Sequence, residues 1–546
     1  MFVLKPAFGA VNQMCSLQHF NCLVYPKVLS SNLRLSVPSS GSVDSNVFDS
    51  SLNRSVPLKD KEMFIVSWEQ SCMKVLFVEP PKHIWFVMGE YLPPPFGIIQ
   101  LAAYLEREVK NVEIEVLDCN AKQVDWTELE KRIESFDPDI VASSGLATCN
   151  TYLVARTLET AKKTNNDILT VAGGQHFTAT AQESLETYAE IDVIVRGEGE
   201  QTLVELVKRA KRKSSFPQTK GVSFRHKGKI LHNPSRPLIE NLEELPYPGY
   251  HFVKDIVHEY HFAAMAGRKA PYALIEGSRG CSHRCTFCTQ WRHWQGTWRV
   301  KSSKRIADEM EFCHRNYGSR FIWLTDDNFG LGKRANTLAD EIVQREIADD
   351  LMWFTQARCD DIVRNEEVLP KMRKAGLRWV LLGVESPSRS TLNGFKKGIT
   401  PEDAKRAVKL LRENDIFAQA MLIIGERKDT ARSIAYLREF MNELDPDFAI
   451  FAILTPFPGT EIFDEAKRNS WIEDFNWSHY DMVHAVMPTE TLSRKEVQEE
   501  LYECYRSFYG SWRRRLEGIF SRNELKRRIN WYMAGRGIVK QLRSLF

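Results

Sequence analysis

Three of the chain's eleven cysteines are crowded into Gly277-Ser-Arg-Gly-Cys281-Ser-His-Arg-Cys285-Thr-Phe-Cys288, at the spacing Cys-x3-Cys-x2-Cys. Soft thiolates select iron–sulfur clusters, zinc or Cu(I). A closed structural site wants four protein ligands, and only three are local. One metal position is therefore left open, as in sites that react. The loop is too short for separated metals, so Cys281, Cys285 and Cys288 can all face one cubane. The competing arrangement is a structural zinc with His293 as fourth ligand, Cys-x3-Cys-x2-Cys-x4-His. Its weakness is position, because the cluster directly follows a predicted strand.

That strand, Ala273–Glu276, opens a βα series running from 271 to 490. Further strands are expected at Phe321–Thr325, Trp353–Ala357, Trp379–Gly383, Ala418–Gly425 and Phe448–Thr455. Helical patterns such as Ser303–Tyr317, Arg334–Glu346 and Pro401–Asn414 separate them. Six βα units predict a partial or full barrel, whose chemistry lies at the strand carboxyl ends.

Residues 73–212 predict a second α/β unit. Strands at Val75–Glu79, Val112–Asp118, Asp139–Gly145, Leu169–Gly174 and Asp192–Arg196 alternate with amphipathic helices. This pattern implies a parallel, doubly wound sheet that binds ligands at its carboxyl edge. That edge carries Ser143-Ser144-Gly145, Gly173-Gly174-Gln175-His176 and Gly197-Glu198-Gly199-Glu200. Tight turns alone would also account for these glycines. Residues 213–270 read as a linker with a hairpin around Lys227-Gly-Lys229.

Composition bounds the class. The 546 residues are 43% hydrophobic and 27% charged, with net charge +3, as in ordinary globular proteins. No apolar run approaches the roughly 20 residues that span a bilayer. Few, scattered cysteines argue for a reducing compartment, here a cytoplasmic one. Residues 1–72 are Ser/Asn-rich and read as a disordered leader or non-native extension. Met73 is the expected native start. The basic C-terminal region, 491–546, reads as helical; from Tyr505 onward eleven Lys/Arg stand against Glu517 and Glu524, about +9 on a body of about −6. Aromatic residues interleave with these cations, which suits peripheral contact with anionic lipid or packing on the barrel. Nucleic acid is a poor fit, since no RNA-binding module accompanies the patch.

The cysteine motif, with Phe287 before its last cysteine and a βα strand before its first, resembles that of radical S-adenosylmethionine (SAM) enzymes. The resemblance implies a [4Fe–4S] cluster held by Cys281, Cys285 and Cys288, with SAM on the fourth iron. One electron, from a donor such as ferredoxin or flavodoxin, then cleaves SAM to a 5′-deoxyadenosyl radical. Gly383-Val-Glu385-Ser386, Ile423-Ile-Gly425 and Arg358 resemble SAM-pocket segments at strand ends. Thr455-Pro-Phe-Pro-Gly459 and Asp326-Asp-Asn328 also sit at strand ends.

The first unit resembles the cobalamin-binding domain that precedes the barrel in one large subgroup. The resemblance places Ser143, Ser144, Gly145, Gly173, Gly174, His176, Gly197 and Glu198 on the cobalamin face. Domains that supply an axial histidine carry Asp-x-His-x-x-Gly, whereas this chain has Asp118-Cys-Asn120-Ala-Lys-Gln123. Cobalamin is therefore expected without a histidine ligand from this loop.

Domain order and motifs look most like the anaerobic Mg-protoporphyrin monomethyl ester cyclase group. The expected function is oxidative cyclisation on an unactivated carbon of a large apolar, porphyrin- or lipid-type substrate. Cobalamin-dependent C-methylation is the alternative, and a non-catalytic cobalamin or metal sensor is the rival from another class.

Overall fold

The computed structural model describes residues 72–82, 91–145, 147–210, 213–266 and 270–543. Residues 1–71 of the expected leader lie outside the described residues.

Five parallel strands, β1 (Met73–Glu79), β2 (Val112–Asp118), β3 (Ile140–Ser144), β4 (Leu169–Gly173) and β5 (Val193–Val195), form the first sheet. Their order is β2-β1-β3-β4-β5. The two-residue period of a strand sends alternate side chains to opposite faces. Val75, Phe77, Ile140 and Val171 pack with the helices Phe96–Glu108 and Glu200–Arg209. Leu76, Val78, Val141 and Ala172 pack with Trp126–Phe136 and Thr151–Thr164. Both faces are thus buried, as a parallel sheet requires.

The hairpin expected at Lys227-Gly-Lys229 forms through left-handed Lys227 (φ 48°) and Gly228 (φ 76°). Its strands β6 (Val222–His226) and β7 (Lys229–His232) extend the sheet antiparallel beyond β5. Part of the segment read as a linker therefore belongs to the first sheet. Edge pairing with β5, invisible in local pattern, is the reason.

The second sheet consists of β8 (Tyr272–Ile275), β9 (Phe321–Leu324), β10 (Met352–Ala357), β11 (Leu377–Glu385), β12 (Phe417–Ile424) and β13 (Phe448–Ile453). All pair in parallel and in chain order, giving a partial (β/α)6 barrel. The last strand leaves backbone groups unpaired. The helix Arg494–Tyr509 covers them: the Tyr509 hydroxyl accepts from Ala449 N (3.0 Å) and donates to Ala449 O (2.7 Å). Tyr505 does the same at Phe451. Two tyrosines four residues apart thereby close a sheet edge.

One continuous apolar core joins the barrel to one face of the first sheet. Among the described residues no helix is long and apolar enough to cross a membrane.

Candidate functional site

The cysteine loop leaves β8 and is held from several sides. Asp326, at the end of β9 and fully buried, accepts from Gly277 N (2.6 Å), Ser278 N (3.0 Å) and the Ser278 hydroxyl (2.7 Å). Thr286 N donates to Phe395 O at 3.0 Å, and the Trp291 indole donates to Cys285 O at 3.1 Å. All three thiols are free, with Cys285 buried and the others half-buried. Burial raises all three, Cys288 to about 12. Loading a metal must therefore displace protons.

Positive charge surrounds these sulfurs. Arg358, at the end of β10, and Lys397 both act on Cys281 and Cys285 electrostatically, favouring the thiolates. Lys397 is buried and pairs with Glu385 at 2.7 Å. Glu385 ends β11 beyond a register shift and takes a left-handed φ of 62°. A side chain at Gly383 would place its Cβ 2.5 Å from Glu385 Oε1 and 2.6 Å from Lys397 Nζ. Glycine there leaves room for the ion pair. Ser386 is buried beside this turn, and its hydroxyl accepts from Ser388 N at 3.1 Å. Ile423 and Phe287 belong to one apolar cluster with Phe395, whose ring meets Phe287 edge-on at 5.1 Å. Gly425 (φ 78°) turns the chain after β12, and its N–H donates to Asp429 at 2.9 Å.

Asp327 lies close enough to act on Cys281 and Cys288. Burial, then the neighbouring Asp326 and Glu276, push its carboxyl up to about 7.

At the first sheet's carboxyl edge the serines and glycines pack closely. Ser143 donates to Val78 O at 2.9 Å, so its hydroxyl is used within the sheet. Gly145 N bonds Gly173 O at 3.0 Å, and a Cβ at Gly174 would lie 2.9 Å from Ser144 Oγ. Gly197 N donates to the Thr178 hydroxyl at 3.1 Å. His176, on the helix Gln175–Ala179 that follows β4, is buried beside Phe177 and Trp477, and neither ring nitrogen has a partner. Burial depresses this imidazole to about 4, so it is neutral.

Glu198 is engaged elsewhere. It pairs with Arg279 (2.8 Å) and Arg299 (2.9 Å) and accepts from Ile239 N (2.6 Å). Arg279, from the segment leading into Cys281, also binds Glu200 at 2.6 Å and Glu276 at 2.9 Å. A second contact joins the two edges: Gln175 accepts from the Thr289 hydroxyl at 2.9 Å and donates to Gln290 at 2.8 Å. Beside it lies a cavity of about 130 Å³ bordered by Gln175, Thr289, His293 and Gly459. The sequence places Gln175 and Glu200 at the sheet's ligand edge and Arg279 in the cysteine segment but not their pairing, and it misses Lys397, because the partners lie far along the chain or past a turn. A lone arginine among the small residues of Gly277-Ser-Arg-Gly280, just before the first cysteine, was the available signal.

The donor set suits a polynuclear cluster. Among the described residues no group of three or more His, Cys, Asp or Glu is placed to hold a metal ion, so the fit rests on three soft thiols sharing one short loop. His293 sits on the interdomain cavity, with burial and Arg279 lowering it to about 4. The first sheet also fits an amide-bearing ligand, since the orphaned nitrogens of His176 need partners. In the loop after β2, Asp118 is spent on Asn120 N (2.9 Å), Ala121 N (3.1 Å) and Tyr260 (3.1 Å).

Residues 86–207 match the B12 binding domain and residues 275–440 the Radical SAM superfamily. An uncharacterized methyltransferase of Pyrococcus horikoshii is 32% identical, the alignment covering 80% of this chain and 92% of the relative. The anaerobic magnesium-protoporphyrin IX monomethyl ester cyclase of Rubrivivax gelatinosus is 30% identical over 80% of this chain and 77% of its own. Among solved structures, the radical SAM methyltransferase TsrM from Kitasatospora setae superposes with a TM-score of 0.61 at 19% identity, covering 81% of this chain and 89% of that one. The cobalamin-dependent radical enzyme OxsB gives 0.65 at 17%, covering 86% and 72%. With both domains matched in order and two long relatives at this level of identity, the chain belongs to the cobalamin-dependent radical SAM enzymes, whose cofactors are a [4Fe–4S] cluster, S-adenosylmethionine and cobalamin.

Proposed function

We propose that this enzyme transfers a methyl group to an unactivated carbon of a small, largely apolar molecule. The observation that carries this reading is the contact between the two strand-end edges. Gln175, two residues past β4, holds Thr289 and Gln290, which directly follow Cys288. The cobalamin edge and the cluster loop therefore border one cleft, as direct group transfer between them requires. When bound, the cofactors supply a carbon-centred radical and a methyl carrier.

The chain's own residues position and shield that chemistry. Cys281, Cys285 and Cys288 would hold the cluster, with Arg358 and Lys397 balancing its negative charge. Glu385, Gly383, Ser386, Phe287, Ile423 and Gly425 would bound the SAM pocket, Phe287 and Ile423 excluding water from it. Ser144, Gly145, Gly173, Gly174, His176 and Gly197 would border cobalamin. Ser143 and Glu198 would act from behind, through the sheet and the domain interface. A reduced ferredoxin or flavodoxin is the fitting electron donor.

Relatives named as methyltransferases support this assignment, among them the hopanoid C-3 methylase of Methylococcus capsulatus at 26% identity. Oxidative cyclisation is the second reading, favoured by the 30% identity to the cyclase. The test is anaerobic reconstitution with iron, sulfide, SAM, corrinoid and a reductant. We expect 5′-deoxyadenosine together with S-adenosylhomocysteine, and label transfer from methyl-labelled SAM to an acceptor. Deoxyadenosine without homocysteine or label transfer would favour cyclisation. If neither product forms, the radical assignment is overturned.

A further inference from the structure

The two C-terminal helices, Trp512–Ile519 and Glu524–Arg543, present large apolar side chains to solvent. Trp512, Leu516, Phe520 and Trp531 are 60%, 53%, 77% and 58% exposed. Monomeric soluble proteins seldom leave such a group uncovered without a use for it.

This exposure is fixed by anchoring. Arg514 pairs with Asp445 and stacks on Phe508 at 3.9 Å, and Gly518 lies against Asn530. These residues therefore face the body of the molecule. Two residues on in a helix is about 200° round the axis, so Trp512, Leu516 and Phe520 form a stripe pointing away. On the second helix Leu525 and Ile529 are buried, and Lys526 pairs with Asp447 at 2.8 Å. Trp531, two past Ile529, again points outward.

Cations rim the stripe. Arg522 and Arg527 are exposed, Arg513 is exposed and paired with Glu517 at 2.7 Å, and Arg515 lies 5.5 Å from the Trp512 ring. From residue 505 onward the sequence sets eleven Lys/Arg against two carboxylates, and the body answers part of this charge through Glu503, Asp445 and Asp447, which pair with Arg506, Arg514 and Lys526. Tryptophan and phenylalanine among arginines match the boundary of an anionic bilayer, where rings enter the headgroup layer and guanidinium groups meet phosphate. A protein partner would more often ask for a groove or a larger apolar centre, and a nucleic acid for an appended fold.

We propose that the Trp512–Leu516–Phe520 stripe, with Trp531, is a peripheral docking surface for an anionic lipid bilayer. Asp445 and Asp447 precede β13, and Asp415, which accepts from Asn523 at 2.8 Å, precedes β12. The surface therefore lies at the amino end of the barrel strands, opposite the cysteine loop. Docking there leaves the reactive cleft facing away from the bilayer, free for a soluble electron donor.

The test is vesicle co-sedimentation of the full-length holoenzyme. One set of vesicles is phosphatidylcholine alone, and the other contains added phosphatidylglycerol. We expect binding to the anionic vesicles at least roughly tenfold tighter than to neutral ones, weakening as salt rises. Trp512→Ser with Phe520→Ser should lose roughly tenfold or more, while deoxyadenosine formation in solution stays unchanged. Circular dichroism checks that this variant is folded, and Arg513→Gln with Arg527→Gln gives a second variant whose anionic preference should shrink. Absent or equal binding to the two vesicle types would overturn the proposal. So would undiminished binding by the serine variant, self-association that this variant dissolves, or displacement of vesicles by RNA.

Discussion

Arg279 Nη2 lies 2.6 Å from Glu200 Oε1, joining the segment that enters the cysteine loop to the turn that ends β5 of the other domain. Both side chains are about 5% exposed. Burial opposes ionisation of Glu200, but the Arg279 guanidinium outweighs it and holds the carboxyl below the ordinary range.

Removing Arg279 leaves the buried Glu200 carboxylate without its ion-pair partner, which costs roughly 3–5 kcal/mol. Arg279→Met should therefore lower unfolding stability by that order in a denaturant titration. Glu200→Gln keeps the shape and should cost less. If the proposed methyl transfer holds, its diagnostic effect is uncoupling: SAM cleavage to deoxyadenosine should persist while label transfer to the acceptor falls. An equal fall in both would show that the latch serves only stability.

Cys281→Ala, Cys285→Ala and Cys288→Ala should each abolish cluster assembly. Iron content after anaerobic reconstitution should drop from about four per chain towards zero. Cys313 and Cys504 are buried away from the cysteine loop, beside Glu309 and Arg438 respectively, so Cys313→Ala and Cys504→Ala serve as controls that retain iron.

Gly383→Ala should force Glu385 and Lys397 apart, because the added Cβ occupies the space of their charged tips. Hydrogen bonds to charged groups contribute about 1.5–3 kcal/mol. SAM binding, measured by equilibrium dialysis on the reconstituted enzyme, should weaken by roughly tenfold to a hundredfold. Lys397→Met should reproduce this and also lower the stability of the apoprotein.

His176 supplies a pH signature. Its folded value, about 4, lies below the ordinary histidine value, so the unfolded chain binds the proton more readily. Stability from this group is full above the unfolded value of about 6.5 and is lost as pH falls towards the folded one. At pH 5 the apoprotein should have lost about 2 kcal/mol relative to pH 8 from His176 alone. His176→Phe should flatten that part of the profile in denaturant titrations, and an unchanged slope would show that the imidazole is hydrated.

Tyr505 and Tyr509 seal the exposed edge of β13. Tyr509→Phe strips Ala449 of a donor and an acceptor in a buried place, which should cost about 1–3 kcal/mol. Hydrogen exchange at Ala449 should rise more than at Ala420 in the neighbouring strand.

The local parts could be read from the order of amino acids. Apolar periodicity set the strands and helices of both α/β units, and three cysteines at short spacing named the cluster loop. These signals are legible because each depends on residues within one or two turns of chain. Tertiary structure alone decided the rest. Glu198, read from its glycine-rich turn as a cobalamin neighbour, meets Arg279 across 81 residues of chain and works as part of a clasp. Lys397 meets Glu385 just past a register shift in β11, where Glu385 takes a left-handed φ. The hairpin after Val222 joins the first sheet because β5 offers an unpaired edge. Ion pairs and edge pairing depend on which distant segments meet in space, and no local pattern of hydrophobicity or charge records that meeting.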